Sequence, residues 1–166
     1  MAMTDATRMH HEHKAGAAST DERKSWMGVL ARAKRDELEA AWASLPSRPA
    51  HSIMRAPEIG LVMVRARAGG SGNPFNLGEM TVTRCALKLA GGAVGFGYVQ
   101  GRDKRRAELA AAFDGLLQDD SRRLELLKDV IAPLAAAQAA RRDERSRKAA
   151  STKVEFFTLV RGDNPK

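Results

Sequence analysis

The apolar positions at the start of the chain recur at helical intervals and predict two short helices. Ser19 and Glu22 have the spacing of a capping box, which marks a helix start. One face of that helix is apolar: Trp26, Val29, Leu30 and Ala33. Asp36 is predicted to cap a second helix, which Pro46 would end. Both tryptophans of the chain fall on these apolar faces, so we expect them to anchor the core.

From residue 50 onward the apolar positions alternate, which predicts strands instead of helices. We expect a short strand at residues 52–55, a turn at Pro57 and a second strand at residues 60–68. The glycine-rich segment 69–74 reads as a flexible loop. Two apolar side chains that follow the loop are expected to pack it back onto the body: Phe75 and Leu77.

Gly91 and Gly92 separate two runs with strand-like alternation and predict a hairpin with a two-residue turn. The register that such a turn fixes puts six side chains on one apolar face: Cys85, Leu87, Leu89, Val94, Phe96 and Tyr98. Cys85 is therefore expected to be a small buried hydrophobe and not a nucleophile.

The opposite face of the predicted hairpin carries Gly95 and Gly97 beside Arg84 and Lys88. Glycines inside a strand commonly mark the close approach of a ligand or another backbone. This face is therefore a candidate docking surface. The alternative is a solvated face whose gaps are covered by long side chains.

The second half of the chain predicts mainly helices. Asp103 can cap a helix over residues 105–119, and another helix begins near Ser121. Its inward positions are expected to be Leu124, Leu127, Ile131 and Leu134. Pro133 should kink or end it. Residues 134–150 favour a helix but contain almost no large apolar side chain, so this helix should be poorly anchored.

Strands and helices are segregated along the sequence, which predicts an α+β fold. We expect a mostly antiparallel sheet, with helices N-terminal to it and after the central hairpin, and a C-terminal strand near residues 154–160. Residues 1–18 are polar and aperiodic and are predicted to be a disordered tail. The tail's histidines precede no element at ligand spacing, so no metal site is predicted. Residues 19–166 would form one domain.

The chain has 166 residues and a formal charge of +8, which points to an anionic partner: nucleic acid, a phosphorylated ligand or an acidic protein surface. The excess of positive charge is spread along the chain and forms no basic arm.

A single cysteine excludes an internal disulfide framework. No apolar run is long enough to span a membrane and no secretory signal is present, so we expect a cytoplasmic protein without a membrane partner.

The sequence contains no complete catalytic set. Phosphate-loop, dinucleotide-binding and nucleophile-elbow motifs are missing, and His51 is the single histidine outside the predicted tail. Several cations lie beside glycine-rich backbone and are candidates for phosphate binding: Arg65, Arg67, Arg84, Arg102 and Lys104. Ordinary surface cations are the alternative. Nucleic-acid binding is less favoured, because the predicted register buries Tyr98, the one tyrosine.

Several segments in order resemble the G subunit (PhnG) family of the bacterial carbon–phosphorus lyase core complex. They are SWMGVLARA, RAPEIGLVMVRARAGGSG, GNPFNLGEMTVTRCALKL, GYVQGRDKRRAEL, IAPL and VEFFTLVRGDN. The resemblance covers roughly residues 25–164 and leaves out the first twenty or so.

The resemblance implies a subunit that works with the H, I and L subunits to transfer the ribose 5-triphosphate part of ATP to an alkylphosphonate, displacing adenine. It implies the I subunit as closest partner, then H and J, with the ATPase-like K and L proteins. The iron–sulfur cluster and S-adenosylmethionine belong to the J subunit, and no cofactor or catalytic residue is implied for this chain. Two alternatives stay open: direct phosphate binding at a shared active site, and a free-standing nucleic-acid-binding protein.

Overall fold

The computed structural model describes residues 18–153 and shows an α+β fold, as the segregation of strands and helices predicts. One antiparallel sheet has the strand order β1-β2-β3. The elements are α1 (Thr20–Arg32), α2 (Arg35–Ser44), β1 (His51–Arg67), β2 (Pro74–Leu89), β3 (Val94–Gln100), α3 (Lys104–Leu117), α4 (Asp120–Leu126) and α5 (Ala132–Ser151). The predicted N-terminal tail and C-terminal strand lie outside the described residues.

The helix starts follow from local capping. The Glu22 N–H donates to Ser19 Oγ at 3.2 Å and the Ser19 N–H donates to Glu22 Oε2 at 2.8 Å, which confirms the predicted capping box. The cap predicted for α2 is wrong by two residues. Lys34 is the N-cap, and its N–H donates to Glu37 Oε2 at 2.9 Å, while Asp36 lies in the first turn.

The predicted turn at Pro57 is wrong, because β1 is one strand of 17 residues. The β1–β2 register shifts between Ile53 and Arg55 and again between Arg55 and Glu58. Pro57 fits between these shifts because β1 is an edge strand, where a missing N–H donor breaks no ladder bond. One bulged strand therefore replaces the two predicted strands.

The predicted hairpin register is wrong by one residue. The Leu89 N–H donates to the Ala93 carbonyl at 2.9 Å, so the connection has three residues and ends on Gly92, whose φ is 90°. Leu87 consequently pairs with Gly95 and Cys85 with Gly97. A slip of one residue exchanges the two faces of a strand. Phe96 and Tyr98 thus lie on the face opposite Cys85.

The two strand glycines admit helix α3 against the inner face of the sheet. A Cβ atom at Gly95 would lie 1.9 Å from the Ala111 carbonyl oxygen, and one at Gly97 would lie 1.9 Å from the Ala107 oxygen. The expected close approach is confirmed, but α3 of the same chain makes it, so these glycines form no floor for a docking partner. On its other side α3 contacts α1 and α2, and ten of its residues are buried.

Both predicted tryptophan anchors are confirmed. Trp26 is buried, and the ring of Trp42 meets that of Phe113 edge-on at 5.6 Å between centroids. Leu124 was expected to point inward, but it is 80% exposed and Leu126 is buried in its place. A π-helical segment at Leu127–Ile131 then leads into α5.

Pro133 does not end the helical run. It lies in the first turn of α5, directly after the π-helical segment. A proline inside a helix removes one hydrogen bond and crowds the preceding turn, and a π-helical turn is one way to accommodate both effects. The run therefore continues to Ser151.

Candidate functional site

The outer half of the β1–β2 hairpin is paired only with itself. β3 covers β2 from Val82 to Lys88 and reaches no further. Residues 61–67 and 74–81, hereafter the ribbon, therefore form a two-stranded extension. At about 3.3 Å per residue, its longer strand spans about 26 Å.

The ribbon exposes large apolar side chains on a surface that no other described element covers. Leu61 is 62% exposed and Leu77 is 64% exposed. Two others are similar: Met63 and Phe75. The expectation that Phe75 and Leu77 pack the loop back is wrong, because both belong to β2 and extend away from the body. A lone two-stranded ribbon is marginally stable in water, and several large apolar side chains exposed on it indicate an interaction surface.

The outer face of the sheet, opposite α3, combines aromatic rings with cations. Phe96 is 47% exposed and Tyr98 is 46% exposed. Tyr98 lies directly across the ladder from Arg84. The guanidinium carbon of Arg23 lies 5.6 Å from the centroid of the Phe96 ring. The expectation that Tyr98 is buried in an apolar layer is wrong, so the lack of a stacking surface no longer argues against nucleic acid.

The cations predicted to bind phosphate do not converge on one point. Arg65 and Arg67 lie at the tip of the ribbon, where the Arg67 Nη1 group donates to the Gly72 carbonyl at 3.1 Å. Arg102 and Lys104 follow β3 at the base of the ribbon, about 23 Å away along the strand. Arg84, on the outer sheet face, donates to Glu58 Oε1 at 2.5 Å.

Sequence reasoning missed a buried carboxylate, Asp114, which is 0% exposed in the middle of α3. Arg23 donates to it through Nε at 3.2 Å and through Nη2 at 2.6 Å. The indole N–H of Trp26 donates at 2.9 Å, and so does the backbone N–H of Phe96. Asp114 thereby joins α1, α3 and the free edge of β3. The signal was an aspartate within the apolar stretch AAAFDGLL.

The described nucleophile and base candidates do not form a catalytic pair. Cys85 is buried, and burial, with a smaller contribution from Glu108, raises the pKa of its thiol. This confirms its expected role as a buried hydrophobe. His51 Nε2 lies 3.7 Å from Glu108 Oε1.

Within residues 18–153 no three His, Cys, Asp or Glu side chains are grouped to hold a metal ion. No helix in that range is long and apolar enough to cross a membrane.

Helix α5 is held by polar contacts, because Leu134 is its one buried residue. The Gln138 side-chain amide donates to the Val29 carbonyl at 2.8 Å. Arg141 forms an ion pair with Glu37. Partial burial raises the pKa of Glu37, but hydrogen bonds from Arg141 and the Lys34 N–H outweigh it and lower the pKa overall. The expected weak anchoring of this helix is confirmed.

Comparison with known proteins identifies the family. Residues 21–162 match the family model "Phosphonate metabolism protein PhnG". The chain is also 43% identical, over 164 residues, to the protein of Rhizobium meliloti (strain 1021) named "Alpha-D-ribose 1-methylphosphonate 5-triphosphate synthase subunit PhnG". That alignment covers 98% of this chain and 100% of the relative. The chain therefore belongs to the PhnG family of phosphonate metabolism proteins.

Proposed function

We propose that this chain is the G subunit of an α-D-ribose 1-methylphosphonate 5-triphosphate synthase and that its role there is accessory. Its relative carries that subunit name, and the two align over nearly their full lengths. In this proposal the complex acts on ATP and an alkylphosphonate in the cytoplasm and releases adenine. The H, I and L subunits take part, and the iron–sulfur chemistry resides in the J subunit.

The exposed apolar surface of the ribbon is the main observation that supports an accessory role for this chain. The ribbon leaves four large apolar side chains exposed along a two-stranded segment that nothing else in the described residues covers: Leu61, Met63, Phe75 and Leu77. Such a surface fits a permanent subunit interface, which is more apolar than a transient one. We assign the I subunit as the partner of the ribbon, with H and J joining the same assembly and K and L associating with it.

Co-expression with the other subunits tests this function. The full chain, expressed with the H and I subunits, should co-purify with them. With L added, the mixture should release adenine from ATP and methylphosphonate, and omission of this chain should abolish the product. Turnover by this chain alone would contradict the accessory role, and failure to co-purify with I would contradict the assembly.

A second candidate is direct phosphate binding at a shared active site by Arg65, Arg67, Arg84, Arg102 or Lys104. It is favoured at Arg65, Arg102 and Lys104, because these form no ion pair with another described side chain. Alanine variants that assemble normally but lose turnover would support it. Alanine variants with normal assembly and normal turnover would dismiss it.

Nucleic-acid binding is the alternative from another class, and exposure of Tyr98 and Phe96 near Arg84 gives it a specific basis. A gel shift with single-stranded DNA at low salt is the test. A shift that Tyr98→Ala removes would favour this alternative, and the absence of any shift would end it.

A further inference from the structure

A cleft of about 470 Å³ lies where α1, the end of β3, the start of α3 and α5 meet. The described part of the chain lines it with five arginines and no carboxylate: Arg32, Arg106, Arg141, Arg142 and Arg145. They come from three separate parts of the sequence, so their convergence is a property of the fold. None of them was a candidate on sequence grounds.

Most of this positive charge is not neutralised within the described residues. Arg141 has an ion pair with Glu37, but the other four arginines have no carboxylate partner in residues 18–153. Arg32 donates to the Gln138 side-chain oxygen at 3.3 Å, and Arg145 donates to the Arg141 carbonyl at 3.3 Å. Each of these hydrogen bonds uses one N–H group of the guanidinium, and the oxygen that accepts it is neutral. The positive charges of Arg32 and Arg145 are therefore not compensated by these contacts.

Arg106 is held at the inner side of the cleft by backbone carbonyls. Its Nη1 donates to Gln100 at 3.3 Å and its Nη2 donates to Ala31 at 2.5 Å. Its Nε is buried and has no acceptor among the described atoms. A buried donor without a partner is unfavourable, and such groups are uncommon in folded proteins. The guanidinium is therefore positioned by the body while its charge stays uncompensated.

The walls between the arginines are small and aliphatic. Val29, Ala31, Ala135 and Ala139 supply them, and no aromatic ring of residues 18–153 lines the cleft. A nucleobase would find no stacking surface here. Guanidinium groups, by contrast, match the geometry of phosphate oxygens and bind them through paired hydrogen bonds. The cleft volume falls in the range of small-molecule sites.

We propose that this cleft binds a linear triphosphate, with Arg32, Arg106, Arg142 and Arg145 as its ligands. Several phosphate groups in a short chain match several clustered guanidinium charges better than a single phosphate does. The identification of the 5-triphosphate of ribose as the natural source rests on the proposed function. Binding also joins α5, which is poorly anchored by apolar contacts, to α1 and α3.

Isothermal titration of the purified full chain with sodium tripolyphosphate tests the proposal without requiring an active synthase. The double variant Arg142→Glu/Arg145→Glu should weaken binding by about tenfold or more. The matched control is Arg147→Glu/Lys148→Glu, which makes the same change in charge on α5 but outside the cleft lining. It should stay within about twofold of the parent chain after correction for ionic strength. Circular dichroism verifies that both variants fold.

The ligand series separates the possible sources of phosphate. ATP should bind about as well as tripolyphosphate, and adenosine should not bind, because the cleft offers the base no aromatic surface. Absence of binding by the parent chain, or equal losses in both double variants, would overturn the proposal. A single-stranded oligonucleotide that binds more tightly through the same arginines would overturn the triphosphate assignment.

The cleft could instead hold an acidic segment of a partner subunit. In that case the parent chain would bind no tripolyphosphate, and Arg142→Glu/Arg145→Glu would abolish co-purification with the H and I subunits. That result would contradict the proposal. If the parent chain binds tripolyphosphate but does not assemble with those subunits, the cleft proposal stands and the proposed function fails.

Discussion

The two halves of β2 obey the same alternation but meet different surroundings. From Val82 to Lys88 the strand has a neighbour on each side and α3 beneath it, and Leu87 is fully buried. From Pro74 to Thr81 it has β1 alone, and Leu77 is 64% exposed. The apolar residues of the first half are explained by this chain's own fold. The apolar residues of the second half are not buried by the described part of this chain. We therefore expect a partner to cover them.

The largest expected effect on stability is at Asp114, because its hydrogen bonds connect the elements of the α3-packed body. Asp114→Ala should lower the free energy of unfolding by about 3–5 kcal/mol, because it leaves a half-buried Arg23 guanidinium and two N–H donors without their acceptor. Urea unfolding of the purified chain measures the change. The control is Asp143→Ala on the exposed surface of α5, which should change stability by about 0.5 kcal/mol or less. Equal effects would mean that the body does not depend on this carboxylate.

Gly97 and Gly60 lie in the two outer strands of the sheet, and helix α3 packs closely against the first of them alone. Gly97→Ala should destabilise the chain by about 2–3 kcal/mol, since the new Cβ would lie 1.9 Å from the Ala107 carbonyl oxygen. Gly60→Ala, in β1, places its Cβ in open space and should be neutral or slightly stabilising. Thermal unfolding of the two variants compares them directly. A tolerant Gly97 would contradict the close approach of α3.

Sequence patterns recover the parts of the fold that depend on neighbouring residues. The Ser19–Glu22 capping box and the Asp103 cap of α3 depend on contacts within three residues, and both are confirmed. The register of the hairpin is harder to predict, because Gly91-Gly92 is compatible with a two-residue and with a three-residue connection. In the three-residue connection Gly95 and Gly97 face α3, where a Cβ atom would overlap the helix backbone.

The site features depend on tertiary contacts and are harder to predict. Asp114 meets an arginine 91 positions away in sequence. The cleft arginines belong to α1, α3 and α5, and no local pattern unites Arg32 with Arg145. The alternation at residues 60–68 predicts a strand that contains several apolar residues. It gave no information about which of them the body covers.

Helix α5 is less buried than the body but more than the ribbon, and the ion pair between Glu37 and Arg141 is one of the contacts that hold it. Glu37→Gln should lower stability near neutral pH by about 1 kcal/mol, because the charged carboxylate accepts from Arg141 and the Lys34 N–H. The folded-state pKa of Glu37 is lowered below 4.5, so this stabilisation exists above that pH and is lost as pH falls through the folded value. Urea unfolding at several pH values should show the two proteins converging in acid. A difference that does not depend on pH would contradict the role of the ion pair.

The ribbon itself should show the smallest effect on stability and a clear effect on assembly. Leu61→Ser/Leu77→Ser should change the free energy of unfolding of the isolated chain by about 0.5 kcal/mol or less, because both side chains already face water. The same double variant should lose co-purification with the H and I subunits, since buried apolar contacts at the centre of an interface dominate its affinity. Leu124→Ser is the matched control, because Leu124 is 80% exposed but lies on α4, away from the ribbon. If the ribbon variant assembles as well as the α4 variant, its exposed leucines are not an interface, and the contrast between the two halves of β2 loses its functional meaning.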